Sequence, residues 1–259
     1  MEFTQELLAV SCRRFLAALR FLTIVPIDWM VDEDADYFRD CLPFFPVIGF
    51  LIGIVAWLLS HLLLLFFPQQ LVSAFLIFYL AAISGFLHLD GLSDSADGLL
   101  SARPKEKALA IMKDSRAGAM GVVAVVFLLL IKYAALSSVN AGLLSLTVFF
   151  MPVIGRCAIL ILMATQQYGR SEGGLGSYFY SSESKKIAVT ASLIIIILFM
   201  LLSPLICIFF AVIFTVVFFL FRRWCQIRLG GATGDTLGAV CEISEMITAI
   251  VFTISYLFL

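Results

Sequence analysis

Long apolar runs recur along the chain, separated by short polar segments. A hydrocarbon core of about 30 Å takes about 20 apolar helical residues. The pattern therefore predicts spans near 44–67, 71–87, 119–139, 143–165, 187–202, 205–221 and 237–258. The fifth and sixth come from one stretch, 187–221, too long for a single helix to fit a bilayer even when tilted. Ser203-Pro204 sits in its middle. Proline removes a backbone donor, so a tight hairpin is expected; a single kinked helix would leave six spans. The expected fold is all-α, a polytopic membrane bundle forming one domain over 1–259, with 1–40 as an N-terminal segment and 41–259 as the bundle.

That N-terminal segment has a different pattern. On a helical wheel Leu8, Cys12, Phe15, Leu16, Leu19 and Leu22 share one face, and Glu6, Arg13, Arg14 and Arg20 take the other. This predicts an amphipathic helix, lying on the membrane surface or packed on the loops. The arginines also interrupt any signal-peptide core.

Charge sets the orientation. Fifteen of the 17 basic residues fall on one side. Arg13, Arg14, Arg20 and Arg39 precede the first span; Arg103, Lys105, Lys107, Lys113 and Arg116 follow the second. Arg170, Lys185 and Lys186 follow the fourth, and Arg222, Arg223 and Arg228 the sixth. The connections near 68–70, 140–142 and 203–204 hold none. Positive charge stays inside, so the N-terminus and polar loops are expected in the cytoplasm, at a bacterial inner membrane. Seven spans put the C-terminus outside.

Composition agrees. Apolar residues are 62% and charged residues 14%, against roughly 25% charged in soluble domains, and the mean hydropathy is +1.08. These values exclude a soluble globular enzyme, a disordered chain and a disulfide scaffold. The partner expected is the lipid bilayer, with no nucleic acid and a homo-oligomer left open. The six cysteines show no CxxC spacing and read as reduced structural thiols.

The polar motifs all lie at the basic side. In His88-Leu-Asp90-Gly-Leu-Ser-Asp94-Ser-Ala-Asp97 the three aspartates fall within about 60° of one another on a helix. Three carboxylates on one face repel, and a divalent ion relieves them. Hard oxygens favour Mg²⁺ or Mn²⁺. The plainer alternative is a solvated acidic face or a helix cap. His88 lies on the other side of that wheel, as a general base or as a satisfied interfacial residue.

Lys113, Asp114 and Arg116 precede Gly118 and Gly121, which pairs cations for phosphate oxygens with open N–H groups at a helix start. Arg170 sits in a glycine-rich loop with Gly169, Gly173, Gly174 and Gly176, a type of loop that can cradle phosphate. Gly230-Gly231-Ala-Thr233-Gly234-Asp235 leads to Glu242 and Glu245. Asp235, Glu242 and Glu245 share a broad helical face and form a candidate second carboxylate set, for one shared metal or two. Arg156 lies about two turns inside the fourth span and could reach the same site. Lys132 lies deeper in the third span and takes no role. Gly49 and Gly53 suit helix packing. Acidic metal ligands beside basic phosphate holders suit displacement at a pyrophosphate.

At these residues the chain resembles the cobalamin synthase family, also called adenosylcobinamide-GDP ribazoletransferases. The carriers are HLDGLSDSADGLLS, IMKDSRAGAMG, the Arg-containing GLG loop and LGGATGDTLGA with Glu242, in order, together with Arg20 to Pro26. The resemblance implies an integral membrane enzyme that uses Mg²⁺. Such an enzyme joins adenosylcobinamide-GDP to α-ribazole 5′-phosphate, or α-ribazole, and releases GMP. It implies metal ligands at Asp90, Asp94 and Asp97, with Asp235 and Glu242 as the further set. It implies phosphate contacts at Lys113, Asp114, Arg116, Arg170, Gly231 and Gly234, and leaves the base open between His88 and a second-set carboxylate. The neighbouring alternatives fit less well. The D-G-x-x-A-R spacing of CDP-alcohol phosphotransferases is missed by one residue between Asp97 and Arg103, and intramembrane prenyltransferases space their aspartates differently. A transporter would place its site near the midplane.

Overall fold

The computed structural model describes residues 2–27, 40–170 and 184–256. Among them are ten α-helices: α1 (Glu2–Leu22), α2 (Phe45–Leu64), α3 (Gln69–Ile83), α4 (Leu87–Leu100), α5 (Lys105–Ile111), α6 (Ala119–Ser138), α7 (Ala141–Thr165), α8 (Ser184–Leu202), α9 (Pro204–Leu229) and α10 (Gly234–Tyr256). A 3-10 turn, Leu42–Phe44, leads into α2. Six helices are long and apolar enough to cross a membrane, and the bent pair α3–α4 makes up to a seventh. The chain is an all-α polytopic bundle.

Burial ranks the spans. In the apolar stretches of α7 and α10, 83% and 72% of residues are buried, against 22–33% in α2, α6, α8 and α9. The first two form the core, and the others turn apolar side chains such as Phe127, Ile197 and Ile208 outward, as a lipid-facing ring must. α7 meets α2 at close range because Gly49 and Gly53 carry no side chain. A Cβ at Gly49 would stand 2.6 Å from the Pro152 carbonyl oxygen, and one at Gly53 2.3 Å from that of Phe149. The packing role expected for these glycines is what they perform.

Two boundaries bear on the site. The second span stops at Ile83, four residues short of the sequence-based end. Gly85 and Phe86 both take positive φ, 60° and 61°, a conformation that ends a right-handed helix. α4 then leaves at 86° to α3 and lies across the starts of α6 and α10, outside the spanning segments. At Ser203-Pro204 the hairpin forms: Ser203 is extended and Pro204 opens α9. Phe199 stacks on Phe210 with ring centroids 4.6 Å apart, so the two arms pack side by side.

α1 docks by its C-terminal half. Phe15 meets Phe44 edge-on at 5.9 Å, Phe21 stacks on Phe45 at 6.0 Å, and Arg14 pairs with Asp40. Leu8 and Cys12 on the same face stay exposed. All six cysteines are free thiols.

Candidate active site

α4 is aimed by its glycines. Gly91 lies against the backbone of Asp235, where a Cβ would sit 2.7 Å from its carbonyl oxygen. Gly238 of α10 abuts His88 in return, at 3.2 Å from its Cα to an added Cβ. This contact brings the aspartate helix onto the first turn of α10, so Asp90 and Asp235 line one cavity of about 250 Å³, together with His88, Tyr168, Arg170 and Gly234.

The three aspartates have separate tasks. Asp97 turns to α6 and accepts the Gly118 N–H at 2.7 Å and the Gly121 N–H at 2.9 Å. Its carboxylate caps the positive end of that helix, so the N–H groups expected to meet a phosphate are already taken. Asp90 lines the cavity. Asp94 is half-buried between them, and its carboxyl is pushed up to about 7 by burial, then by Asp90, Asp235 and Asp97, with Arg170 opposing. A carboxylate set that holds a proton near neutrality is short of positive charge.

Two loops complete the wall. Ala232 donates to the Gln167 carbonyl at 2.9 Å and Gly169 donates to that of Ala232 at 2.8 Å, which ties the third and fourth motifs together. Gly231 permits this pairing, since a Cβ there would stand 2.3 Å from the Gln167 carbonyl oxygen. The close approach of the two loops thus depends on Gly231. Gly234 opens onto the cavity with nothing within 4 Å of an added Cβ. Thr233 and Thr236 cap the start of α10 reciprocally, at 2.8 and 3.3 Å. The pairing of the loops brings Arg170 to Asp235 at 2.6 Å. Arg170 Nε is buried with no hydrogen-bond partner among the described residues, a donor an anion would satisfy. The remainder of that loop, 171–176, lies outside the described residues.

Other expected residues stand elsewhere. Arg116 is exposed in the α5–α6 connection and grips Asp114 bidentately, with Nε to Oδ1 at 3.0 Å and Nη2 to Oδ2 at 2.6 Å. The guanidinium holds the Asp114 carboxyl down at about 2. Lys113 is exposed on the same connection. His88 is 3% exposed, and burial with Arg156 and Lys132 nearby holds its imidazole neutral, well below its ordinary value.

Glu242 does not join the aspartates. Its Oε2 accepts from Lys132 Nζ at 2.6 Å, and Glu245 accepts from the same Nζ at 2.8 Å and from Arg156 Nη1 at 2.7 Å. The four groups are at most 3% exposed. Two cations and two anions cancel inside the bundle, and charge that deep needs such pairing. The second carboxylate set near the cavity is thus Asp235 alone, and Arg156 serves Glu245 rather than the cavity. Sequence patterning found each charge but not its partner.

Among the described residues no three of His, Cys, Asp and Glu close into a ready metal cage. Asp90 and Asp235 are close enough to Asp94 for their charges to raise its carboxyl, and Mg²⁺ takes most of its ligands from water and phosphate rather than from a full protein cage. The apolar wall of the cavity, from Phe21, Phe45, Ile159 and Met163, carries no polar signal and went unread in the sequence.

An acidic cluster, a half-buried arginine and paired glycine loops at the charged end of a membrane bundle define a membrane-embedded transferase of phosphate esters. A family model for cobalamin-5-phosphate synthase matches residues 14–253, so the chain belongs to that family. It is similar to adenosylcobinamide-GDP ribazoletransferases of several bacteria. Identity is 35% to that of Acetivibrio thermocellus over 95% of this chain and 98% of the relative. It is 36% to that of Alkaliphilus metalliredigens over 91% and 93%, and 32% to that of Thermoanaerobacter sp. (strain X514) over 93% and 96%. No solved structure matches the chain. The protein is an enzyme, a transferase with cobalamin synthase activity.

Proposed function

We propose that the chain joins adenosylcobinamide-GDP to α-ribazole 5′-phosphate, or α-ribazole, with release of GMP, on the cytoplasmic face of a bacterial inner membrane. The observation that carries this is the cavity lined by Asp90, Asp235 and Arg170 at the charged ends of the spans, with Asp94 close enough to feel all three charges. Orientation follows from the fifteen basic residues on that side.

Asp90 and Asp94, with Asp235, would hold Mg²⁺, which when bound would supply positive charge to the pyrophosphate and to the leaving GMP. Asp97 keeps α6 in place beside them. Arg170 presents its guanidinium to the phosphates, with its unpartnered Nε as the open donor. The acceptor hydroxyl oxygen attacks the phosphorus that carries the cobinamide arm. The bond from that phosphorus to the GMP phosphate oxygen breaks, and the hydroxyl proton passes to neutral His88 or to Asp235.

The test is GMP release by purified protein in liposomes supplied with adenosylcobinamide-GDP. Release requiring both the acceptor and Mg²⁺ is expected. Release without acceptor would make the protein a pyrophosphatase, and no release from folded protein would defeat the proposal.

A further inference from the structure

The cavity has two chemically distinct walls. Arg170 and Asp235 bond each other beside Asp90 on one. On the other, Phe21 and Phe45 stack with planes 27° apart, and Ile159 and Met163 stand one turn apart on α7. Pyrophosphate has no use for the second wall. Phe45 is wholly buried and belongs to the core with or without a ligand. Phe21 is only half-buried and is the one residue α1 contributes to the cavity. The end of α1 is clamped to the α3–α4 corner, where Ile24 N–H donates to the Ile83 carbonyl at 2.8 Å. That same corner aims the aspartate helix.

We infer that this apolar wall seats the flat aromatic base of the acceptor nucleoside, with Phe21 as its specificity-determining contact; the inference rests on the transferase function proposed above. The donor's guanine is the competing occupant. Its edge carries amide and amine groups that need partners once out of water, and phenylalanine, isoleucine and methionine provide none. A base on the Phe21 wall leaves its ribose to span the cavity, with the attacking hydroxyl toward Asp90 and His88.

Steady-state kinetics of Phe21→Ala in liposomes test this, with Phe21→Trp as the variant that keeps a stacking face. Stacking of a base on an aromatic ring is worth about 1–3 kcal/mol. Phe21→Ala should therefore raise KM for α-ribazole 5′-phosphate roughly tenfold, with kcat and KM for adenosylcobinamide-GDP within about twofold of wild type. Phe21→Trp should stay near wild type. Equilibrium dialysis of α-ribazole against the protein in nanodiscs should show the same loss without turnover. Phe21→Leu, which keeps bulk and loses the aromatic face, decides the matter if the alanine variant does not fold. An unchanged acceptor KM overturns the inference. So does a rise confined to donor KM and GMP inhibition, which would place guanine on that wall. Absence of GMP release from wild type would instead defeat the transferase proposal.

Discussion

Asp94 and Asp97 are three residues apart and do opposite work. Asp97 spends its charge on the N–H groups of Gly118 and Gly121, where a helix end welcomes it. Asp97→Ala should lower stability by about 1 kcal/mol, the usual value of a lost cap, seen as a lower Tm in detergent at neutral pH. Asp94 has no such outlet. Its carboxyl is raised to about 7, so the folded chain holds a proton that the unfolded chain has released. Metal-free stability is then full below about pH 4 and falls as pH rises through about 7. Thermal unfolding in chelator should show Tm dropping over that window. Asp94→Asn should flatten the drop, raise the metal-free Tm near pH 8, and reduce GMP release at least a hundredfold. A steep pH dependence in the asparagine variant would assign the titration to another group.

Whole helices are located by a few contacts that a wheel diagram does not contain. Lys132 of α6, Arg156 of α7, and Glu242 and Glu245 of α10 lock three spans in one register, and that register sets Asp235 and Gly238 against α4. Removing one partner strands a buried charge. Lys132→Met should cost about 3–5 kcal/mol, and combining it with Glu242→Leu should recover much of that loss, both followed by chemical denaturation in detergent. Additive losses in the double variant would mean the pair is not coupled. The α3–α4 corner is a second device. Gly85 has φ 60°, and a Cβ there would stand 2.9 Å from Ile24 Cγ2. Gly85→Ala should tilt α4 and lower turnover more than it lowers Tm.

Across the whole molecule, the two buried helices form one side of the cavity's lining and the less buried ones turn apolar side chains outward. α7 supplies Ile159 and Met163 to the cavity, and α10 supplies Asp235. The right-angled turn of α4 sets a polar helix against the starts of α6 and α10. With the bent pair α3–α4 counted as one crossing, seven crossings would put the two ends of the chain on opposite faces. A phosphatase fused after Leu259 should be active, and a fluorescent protein fused before Met1 should fold in the cytoplasm. Equal behaviour of both fusions would remove one span.

Hydrophobic length determined by itself the all-α membrane class and the approximate positions of the spans, because lipid tolerates only segments that are long, apolar and internally hydrogen-bonded. Helical periodicity also placed Asp90, Asp94 and Asp97 on one face. It could not say that Asp97 faces α6 while Asp90 faces the cavity, since a face about 60° wide still meets two different neighbours. Nor could it pair Lys132 with Glu242, residues 110 apart in sequence, or place Phe21 opposite Asp235. Those outcomes follow from which helices touch, and the contact is set by missing side chains at Gly49, Gly53, Gly91 and Gly238. A glycine in a sequence marks that something comes close, and only the packed bundle decides what it is.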